Sequence, residues 1–240
     1  MERKAKATAK KSKQPAPNPR KAARFARESK AARQQRTLEI LERLHGEYPD
    51  ARCSLNFRNP YQLLVATILS AQCTDERVNQ VTPALFQRYH DAANLADARP
   101  EELEEMIKST GFFRNKTKSL LGMANGVVER HGGVIPDEMA ALVDLPGVGR
   151  KTANVLLGNA FGKAEGVVVD THVTRLSQRL GLTTQTDAVK IELELMQLVP
   201  RPEWTIVSHL FIDHGRAVCK APTPRCEVCV LNDICPSSRV

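Results

Sequence analysis

The chain has 240 residues, of which 42% are hydrophobic and 5% aromatic, and its formal net charge is +8. This length allows one sizeable hydrophobic core or two modest ones. The few aromatic residues exclude a platform that stacks successive bases of a single nucleic-acid strand, whereas the positive charge indicates a polyanionic partner.

Most of the positive charge lies in residues 1–36, which contain 7 Lys, 6 Arg and 2 Glu and so carry +11. The other 204 residues therefore carry −3, since the whole chain carries +8. Residues 1–36 have few large apolar side chains, so we predict a disordered basic arm that adds non-specific affinity for DNA. Its latter half, residues 21–36, could become helical on a surface. The alternatives are a solvated tail without function and an organelle transit peptide, which the lysine and proline content fits poorly.

From Thr37 onward, apolar residues recur at helical spacing nearly throughout the chain. Asn59 followed by Pro60 predicts the start of a buried helix, and Thr74 is placed to cap the next one. The single run that resembles a strand, residues 167–169, is too short to form a sheet, so the predicted fold class is all-α. Further helices are predicted over residues 75–89, 100–109, 116–131, 136–145, 171–181, 186–199 and 203–218.

The longest apolar run, residues 63–69, is far too short to cross a bilayer. We therefore expect no membrane partner and a soluble, intracellular protein.

Residues 145–151 read LPGVGRK, an apolar turn that passes directly into helix-forming sequence. Gly147 and Gly149 allow the backbone to bend and to lie close to another molecule. A helix that begins at about Arg150 would direct its unpaired N–H groups toward a phosphate. Lys151 then lies at the positive end of the helix, which favours its neutral amine, the form that makes a Schiff base. Alternatively, the glycines only separate two helices and the lysine is solvated.

Asp170 follows the apolar run of residues 167–169 and heads a predicted helix. It can accept the proton of Lys151 if the fold brings the two side chains together. The alternative is an ordinary N-cap, the usual role of an aspartate at this position. His172 either orients Asp170 or touches DNA, or it is a plain histidine on the helix surface.

Four cysteines near the C-terminus have the spacing C-x6-C-x2-C-x5-C within 17 residues: Cys219, Cys226, Cys229 and Cys235. Four thiols this close in an intracellular chain indicate a metal site over disulfides, but the spacing alone does not separate zinc from an iron–sulfur cluster. Lys220 and Arg225 lie on the short proline-containing loop between the first two cysteines, which we interpret as a phosphate-contacting prong that ligation holds in shape. Cys53 and Cys73 fall outside the pattern and are predicted to be small buried hydrophobic residues.

LPGVGRKTAN, the later VDTH and the cysteine spacing together resemble the helix–hairpin–helix DNA glycosylases of the endonuclease III family, over about residues 37–236. The resemblance implies two helical lobes with DNA in the cleft between them. The hairpin lobe would comprise residues 53–163, and the other lobe would join residues 37–52 to 164–240 and hold a 4Fe–4S cluster on the four cysteines. One departure is visible: the segment from Lys151 to Asp170 is one residue longer than in the best-known members, which we place in the loop of residues 162–166.

The resemblance also implies roles for individual residues. Lys151 attacks C1′ of the damaged nucleotide, and Asp170 activates the lysine. Gln72 enters the gap that the flipped nucleotide leaves, and its amide offers a donor and an acceptor to the orphaned base. Phe112 is the wedge between bases, or else an ordinary core aromatic, as Phe113 is. The remaining candidate DNA contacts are Gly147, Gly149, Arg150, His172, Lys220 and Arg225.

The function implied is a bifunctional DNA glycosylase and abasic-site lyase of base excision repair. Its substrates would be oxidised or ring-saturated pyrimidines and abasic sites in double-stranded DNA, and the enzyme would be a monomer in the bacterial cytoplasm, at the nucleoid. Two alternatives remain. Mismatch-specific relatives usually lack a lysine at position 151, and a non-catalytic DNA-binding module would need neither Lys151 and Asp170 nor the four cysteines.

Overall fold

The computed structural model describes residues 18–240, apart from the side chain of Ala22. This part of the chain contains twelve α-helices, three short 3₁₀ turns and no strand, so the all-α prediction is confirmed for it. Residues 167–169 belong to no helix and form no strand in this part of the chain. The helices are α1 (Pro19–Ala26), α2 (Lys30–Glu47), α3 (Pro60–Leu69), α4 (Asp75–Arg88), α5 (Ala92–Ala96), α6 (Pro100–Ile107), α7 (Phe113–His131), α8 (Met139–Val143), α9 (Arg150–Ala160), α10 (Thr171–Arg179), α11 (Ala188–Leu198) and α12 (Trp204–Ala217).

Local capping chemistry explains where several helices begin. The side chain of Asn59 accepts a hydrogen bond from the backbone N–H of Gln62 (2.9 Å), and Thr74 accepts one from the N–H of Arg77 (3.2 Å). Each bond satisfies an N–H group that has no partner inside the helix. The starts of α3 and α4 therefore lie where the sequence predicts them. The helix predicted over residues 136–145, in contrast, is reduced to the five residues of α8.

Two separate hydrophobic clusters form the interior. The first contains buried residues between Leu55 and Leu157 and is built from α3 to α9. The second combines Ile40, Leu41 and Leu44 of α2 with buried residues between Val167 and Ile234. The second core is therefore formed by α2 together with the C-terminal part of the chain, and the first core is formed by the segment between them. The predicted domain boundaries themselves stay a prediction, but α9 and α10 belong to different cores.

Residues 18–36 form α1 and the start of α2, which agrees with the helix predicted for residues 21–36 on a surface and not with disorder; residues 1–17 lie outside the described part. Because this segment has few large apolar side chains, polar contacts attach it to the rest of the protein. Arg36 is 6% exposed, and it donates to Glu28 through two nitrogens (2.8 Å each) and to the carbonyl of Leu180 (2.6 Å). Lys21 Nζ donates to the carbonyl of Asn232 (2.7 Å). Such charge-assisted hydrogen bonds are roughly twice as strong as neutral ones, so the basic segment packs on the second core.

Within residues 18–240, no helix combines the length and the apolar character needed to cross a membrane.

Candidate active site and cysteine cluster

The glycine turn before α9 has one position that only glycine suits. Gly147 has φ 78°, and a Cβ atom there would lie 2.6 Å from Cβ of Ser119. Gly149 has φ −92° and would meet nothing within 4 Å if it carried a Cβ atom. Its missing side chain therefore serves no packing inside the protein. It leaves room at the surface for another molecule.

The N-terminus of α9 is open to a ligand. The helix begins at Arg150, its N-cap is Gly149, and no side chain of the described residues forms a cap hydrogen bond there. The first N–H groups of a helix have no partner within it and attract anions. Lys151 is exposed in this first turn. The uncapped helix end and the exposed lysine amine that the sequence predicts are both present.

Lys151 and Asp170 line the same cleft, which has a volume of about 540 Å³. Lys151 is on α9, whose buried face belongs to the first core, whereas Asp170 precedes α10, whose buried face belongs to the second. The fold thus brings together two groups that are far apart in the sequence. Gln72 and His172 line the cleft as well. The described residues show no ion pair between Lys151 and Asp170.

Asp170 is also the N-cap of α10, because its Oδ1 accepts a hydrogen bond from the backbone N–H of Val173 (2.8 Å). The capping role that the sequence left open is therefore real. It does not exclude a chemical role, because the cap uses Oδ1 and a carboxylate has a second oxygen for proton transfer.

His172 is held in one orientation beside Asp170. Its Nδ1 lies 3.1 Å from Nη2 of Arg175. A guanidinium can only donate, so Nδ1 accepts and the neutral ring carries its proton on Nε2. Burial lowers the pKa of His172, and the charges of Arg175 and Arg216 act in the same direction while Asp170 opposes them. The neutral form of His172 is therefore favoured, and its Nδ1 is engaged by Arg175 while the residue lines the cleft.

Gln72 and Phe112 share an unusual backbone conformation. Among the described residues they are the two non-glycine positions with positive φ, at 52° and 48°. This conformation costs about 1–3 kcal/mol at each residue and concentrates at functional sites. Both side chains are exposed, Phe112 by 61%, and both line a cavity of about 280 Å³ beside Gly147. The interpretation of Phe112 as a core aromatic is wrong, whereas Phe113 does pack against the first core.

The structure gives Arg150 a different partner from the predicted phosphate. Its Nε and Nη2 each donate to a carboxylate oxygen of Glu192, at 2.9 Å. Glu192 is 5% exposed in this pair, and Arg150 is 41% exposed. A contact between Arg150 and DNA stays a prediction, but the guanidinium is already engaged inside the protein.

The cleft contains charged residues that the sequence reasoning missed, among them two on α12. Asp213 and Arg216 of α12 both line it. Burial raises the pKa of Asp213, and Arg216 forms an ion pair with Asp75 of α4 (2.9 Å). Their spacing of three residues on a helix places them on one face, which is the only signal in the sequence. The spacing does not indicate that this face of α12 lines the cleft.

The four C-terminal cysteines line one small cavity, without forming disulfides. Burial raises the pKa of Cys229 to about 11 and that of Cys235 to about 12, and the neighbouring thiols act in the same direction. The outlying Cys53 and Cys73 are partly buried against the first core, as predicted, and also line the cleft.

Several hydrogen-bond donors face the sulfur atoms. Arg179 donates to Sγ of Cys219 (3.3 Å), and the backbone N–H of Leu231 donates to Sγ of Cys229 (3.4 Å). His214 Nε2 lies 3.3 Å from the same sulfur, while its Nδ1 lies 3.0 Å from the hydroxyl of Tyr48. In residues 18–240, no three His, Cys, Asp or Glu side chains are arranged to hold a single metal ion.

Lys220 and Arg225 are both exposed on the loop between Cys219 and Cys226. Ligation is not the only tie that holds this loop. The backbone N–H of Arg225 donates to the carbonyl of Val218 (3.0 Å), and Arg179 donates to the carbonyl of Lys220 (3.0 Å). Hydrogen bonds to the backbone of the loop therefore help to hold it in place.

A family model described as "HhH-GPD superfamily base excision DNA repair protein" matches residues 65–201. Among curated proteins, endonuclease III of Synechocystis sp. is 58% identical over 209 residues, which cover 87% of this chain and 95% of the relative. Endonuclease III of Escherichia coli (strain K12) is 38% identical over 198 residues, 82% of this chain and 93% of the relative.

Solved structures with a similar fold include proteins of the same kind. A structure titled as a trapped endonuclease III–DNA covalent intermediate superposes with a TM-score of 0.80 at 41% identity, covering 84% of this chain and 95% of that one. A thermostable thymine-DNA glycosylase has a TM-score of 0.76 at 22% identity and covers 84% of this chain and 95% of its own. At that identity, the second likeness concerns the fold alone.

Proposed function

The chain belongs to the endonuclease III family of the HhH-GPD superfamily, and we propose that Lys151 and Asp170 carry its chemistry. It is a base excision repair enzyme that binds DNA and acts as a DNA glycosylase and abasic-site lyase. One observation carries the residue assignment: an exposed lysine at an open helix N-terminus and a carboxylate from the other core line one cleft.

The chemistry requires access to C1′ of a nucleotide, which a base-paired duplex does not give, so the nucleotide leaves the base stack and enters the cleft. The neutral amine of Lys151 attacks C1′, and the C1′–N bond to the base breaks as the base leaves with the bonding electrons. Asp170 accepts the proton that the amine loses. The sugar ring then opens to a Schiff base, loses its C2′ proton and expels the 3′ phosphate by β-elimination.

Gln72 and Phe112 are suited to hold the duplex open. Both are exposed, both line the cavity beside the glycine turn, and both have a backbone conformation that a helical or extended chain would not adopt. The Gln72 amide can pair with the orphaned base, and the Phe112 ring can stack between neighbouring base pairs. The open N-terminus of α9 and Gly149 provide a place for a backbone phosphate.

We propose that the substrates are oxidised or ring-saturated pyrimidines and abasic sites in duplex DNA, and that the enzyme works as a monomer inside the bacterial cell. The experiment is a panel of single-turnover rates, each on a duplex with one lesion. Excision of an oxidised pyrimidine is expected to exceed excision of a mismatched but undamaged adenine or thymine by about 10²-fold or more, the discrimination that hydrogen bonding in a closed pocket provides. Faster removal of the undamaged mismatched base would overturn the substrate assignment and leave the family assignment intact.

We propose further that Cys219, Cys226, Cys229 and Cys235 hold a 4Fe–4S cluster. Four partly buried cysteines line one cavity, and the sulfurs of Cys219 and Cys229 accept hydrogen bonds, as metal-bound thiolates do. The cysteine spacing alone fits zinc as well as an iron–sulfur cluster, so the metal content distinguishes the two. When bound, the cluster would cross-link the C-terminal segment and so hold the cationic loop in place.

Two variants are expected to show whether DNA affinity depends on the iron or on the two cations of the loop. Cys226→Ser should lose the iron, the visible absorption typical of such clusters and much of the affinity for duplex DNA, because a ligand of the cluster and one end of the loop are lost together. Lys220→Ala combined with Arg225→Ala should keep the iron and lower DNA affinity, with a shallower dependence on salt. Stoichiometric zinc in protein purified without oxygen would contradict the cluster, and normal DNA binding by the double variant would leave the loop a purely structural element.

A further inference from the structure

A buried carboxylate joins the two cores directly beside the proposed nucleophile. Glu192 of α11 accepts two hydrogen bonds from Arg150, the residue before Lys151, and a third from Nδ2 of Asn154 (2.8 Å), one turn later on α9. Arg150 and Asn154 are on the helix that packs into the first core, whereas α11 packs into the second. The carboxylate of Glu192, which belongs to the second core, is therefore hydrogen-bonded to the first two turns of α9, which belongs to the first core.

The backbone at Gly166 packs closely against the side chains of Glu192 and Asn154. Gly166 is buried, and a Cβ atom there would lie 2.1 Å from Oε1 of Glu192 and 2.6 Å from Nδ2 of Asn154. The chain segment that leads to Asp170 thus passes directly over the carboxylate, at a position where any side chain would displace it. Oδ1 of Asn154 is buried without a hydrogen-bond partner. Within the described residues, Asn154 thus leaves one polar atom unpaired while its Nδ2 donates to Glu192. An unpaired buried oxygen is unfavourable, so we infer that the hydrogen bond to Glu192 is important at this position.

The other end of α9 has a looser connection to the second core. Oδ1 of Asn159 lies 2.8 Å from Nε2 of His209, and Gly158 allows Thr205 to approach so closely that a Cβ atom would lie 2.6 Å from its hydroxyl. These contacts are neutral. The charged contact is at the N-terminal end, next to Lys151, so the position of that end relative to the second core depends on Glu192.

We propose that Glu192 is a positioning residue for the reaction: through Arg150 and Asn154 it fixes the first turn of α9, and with it the Lys151 amine, relative to Asp170 across the cleft. The proposal rests on the assignment of Lys151 and Asp170. Those two groups come from different lobes, so their separation depends on how the lobes are held together. A bidentate ion pair on a buried carboxylate is directional and holds one angle, whereas apolar contacts tolerate sliding.

The rate of borohydride trapping on DNA with an abasic site, at saturating DNA, measures this positioning. Glu192→Gln keeps the shape of the side chain but removes its charge and one acceptor site for the guanidinium. We expect trapping to slow by about 10- to 100-fold, the effect of a misplacement of roughly 1 Å. The DNA concentration at half-saturation should stay within about twofold. Glu194→Gln is the matched control, because Glu194 lies on the same helix and bonds to Gln185 instead of α9.

A second variant separates positioning from stability. Because Glu192→Leu alone would leave Nδ2 of Asn154 unpaired, the variant combines Arg150→Met, Asn154→Leu and Glu192→Leu, so that apolar side chains replace the whole polar group, an exchange that often preserves or raises stability. If thermal stability is regained while trapping stays slow, the pair acts through geometry. Trapping that recovers together with stability, or Glu192→Gln that traps at the wild-type rate, would overturn the proposal. Wild-type protein that does not trap at all would instead contradict the proposed function.

Discussion

Lys151→Ala is expected to abolish covalent trapping on DNA with an abasic site, together with β-elimination. Lys151 is the residue that combines an exposed amine with the first turn of α9 and a place in the cleft. A Schiff base needs a primary amine at C1′, and alanine supplies none. The measurement is the yield of the borohydride-reduced protein–DNA adduct, with strand cleavage followed on the same substrate.

Binding and folding should be preserved in this variant, because Lys151 forms no ion pair within the described residues and its side chain is exposed. Lys108→Ala is a suitable control, since Lys108 is also an exposed lysine and, among residues 18–240, forms an ion pair with Glu105 of α6 alone (3.0 Å). The control should trap normally. An adduct that persists in Lys151→Ala would point to another nucleophile and refute the assignment.

Asp170→Asn is expected to lower the single-turnover rate of base excision by about 10²- to 10⁴-fold, the usual contribution of a general base. Asparagine caps a helix about as well as aspartate does, so the bond from Val173 N–H (2.8 Å) can be kept. The basic oxygen is lost. Thermal stability and DNA affinity should therefore change little, and the loss should appear in the chemical step.

Asp187 provides a matched control for this substitution. It is the N-cap of α11 and accepts from the N–H of Lys190 at 3.0 Å, the same arrangement without a place in the cleft. Asp187→Asn should leave both stability and excision unchanged. A near-normal excision rate in Asp170→Asn would reduce Asp170 to a helix cap.

The sequence was sufficient for features that depend on a few neighbouring residues. Asn59 and Thr74 cap helices because their side chains reach an N–H group three residues later. Gly147 has the positive φ that its turn requires. The helical spacing of apolar residues also predicted the all-α fold. In each case the cause lies within one or two turns of chain, so local composition determines the outcome.

The resemblance to a family, more than the residues themselves, indicated that Lys151 and Asp170 work together. Their pairing in one cleft requires that α9 and α10 pack into different cores and face each other. Periodicity shows which face of a helix is apolar, but not which surface covers it. Asp213 and Arg216 were missed for the same reason.

Only the tertiary structure decided which partners the charged residues have. Residues 18–36 appear too polar to fold, yet Arg36 finds Glu28 and the carbonyl of Leu180. Arg150 appears ready to contact phosphate, yet it is engaged by Glu192, 42 residues away. Hydrophobic burial depends on area and is readable from composition, whereas an ion pair depends on direction and on a distant group. The long-range packing that places those groups decides whether a charge stays in solvent or fixes the geometry of a site.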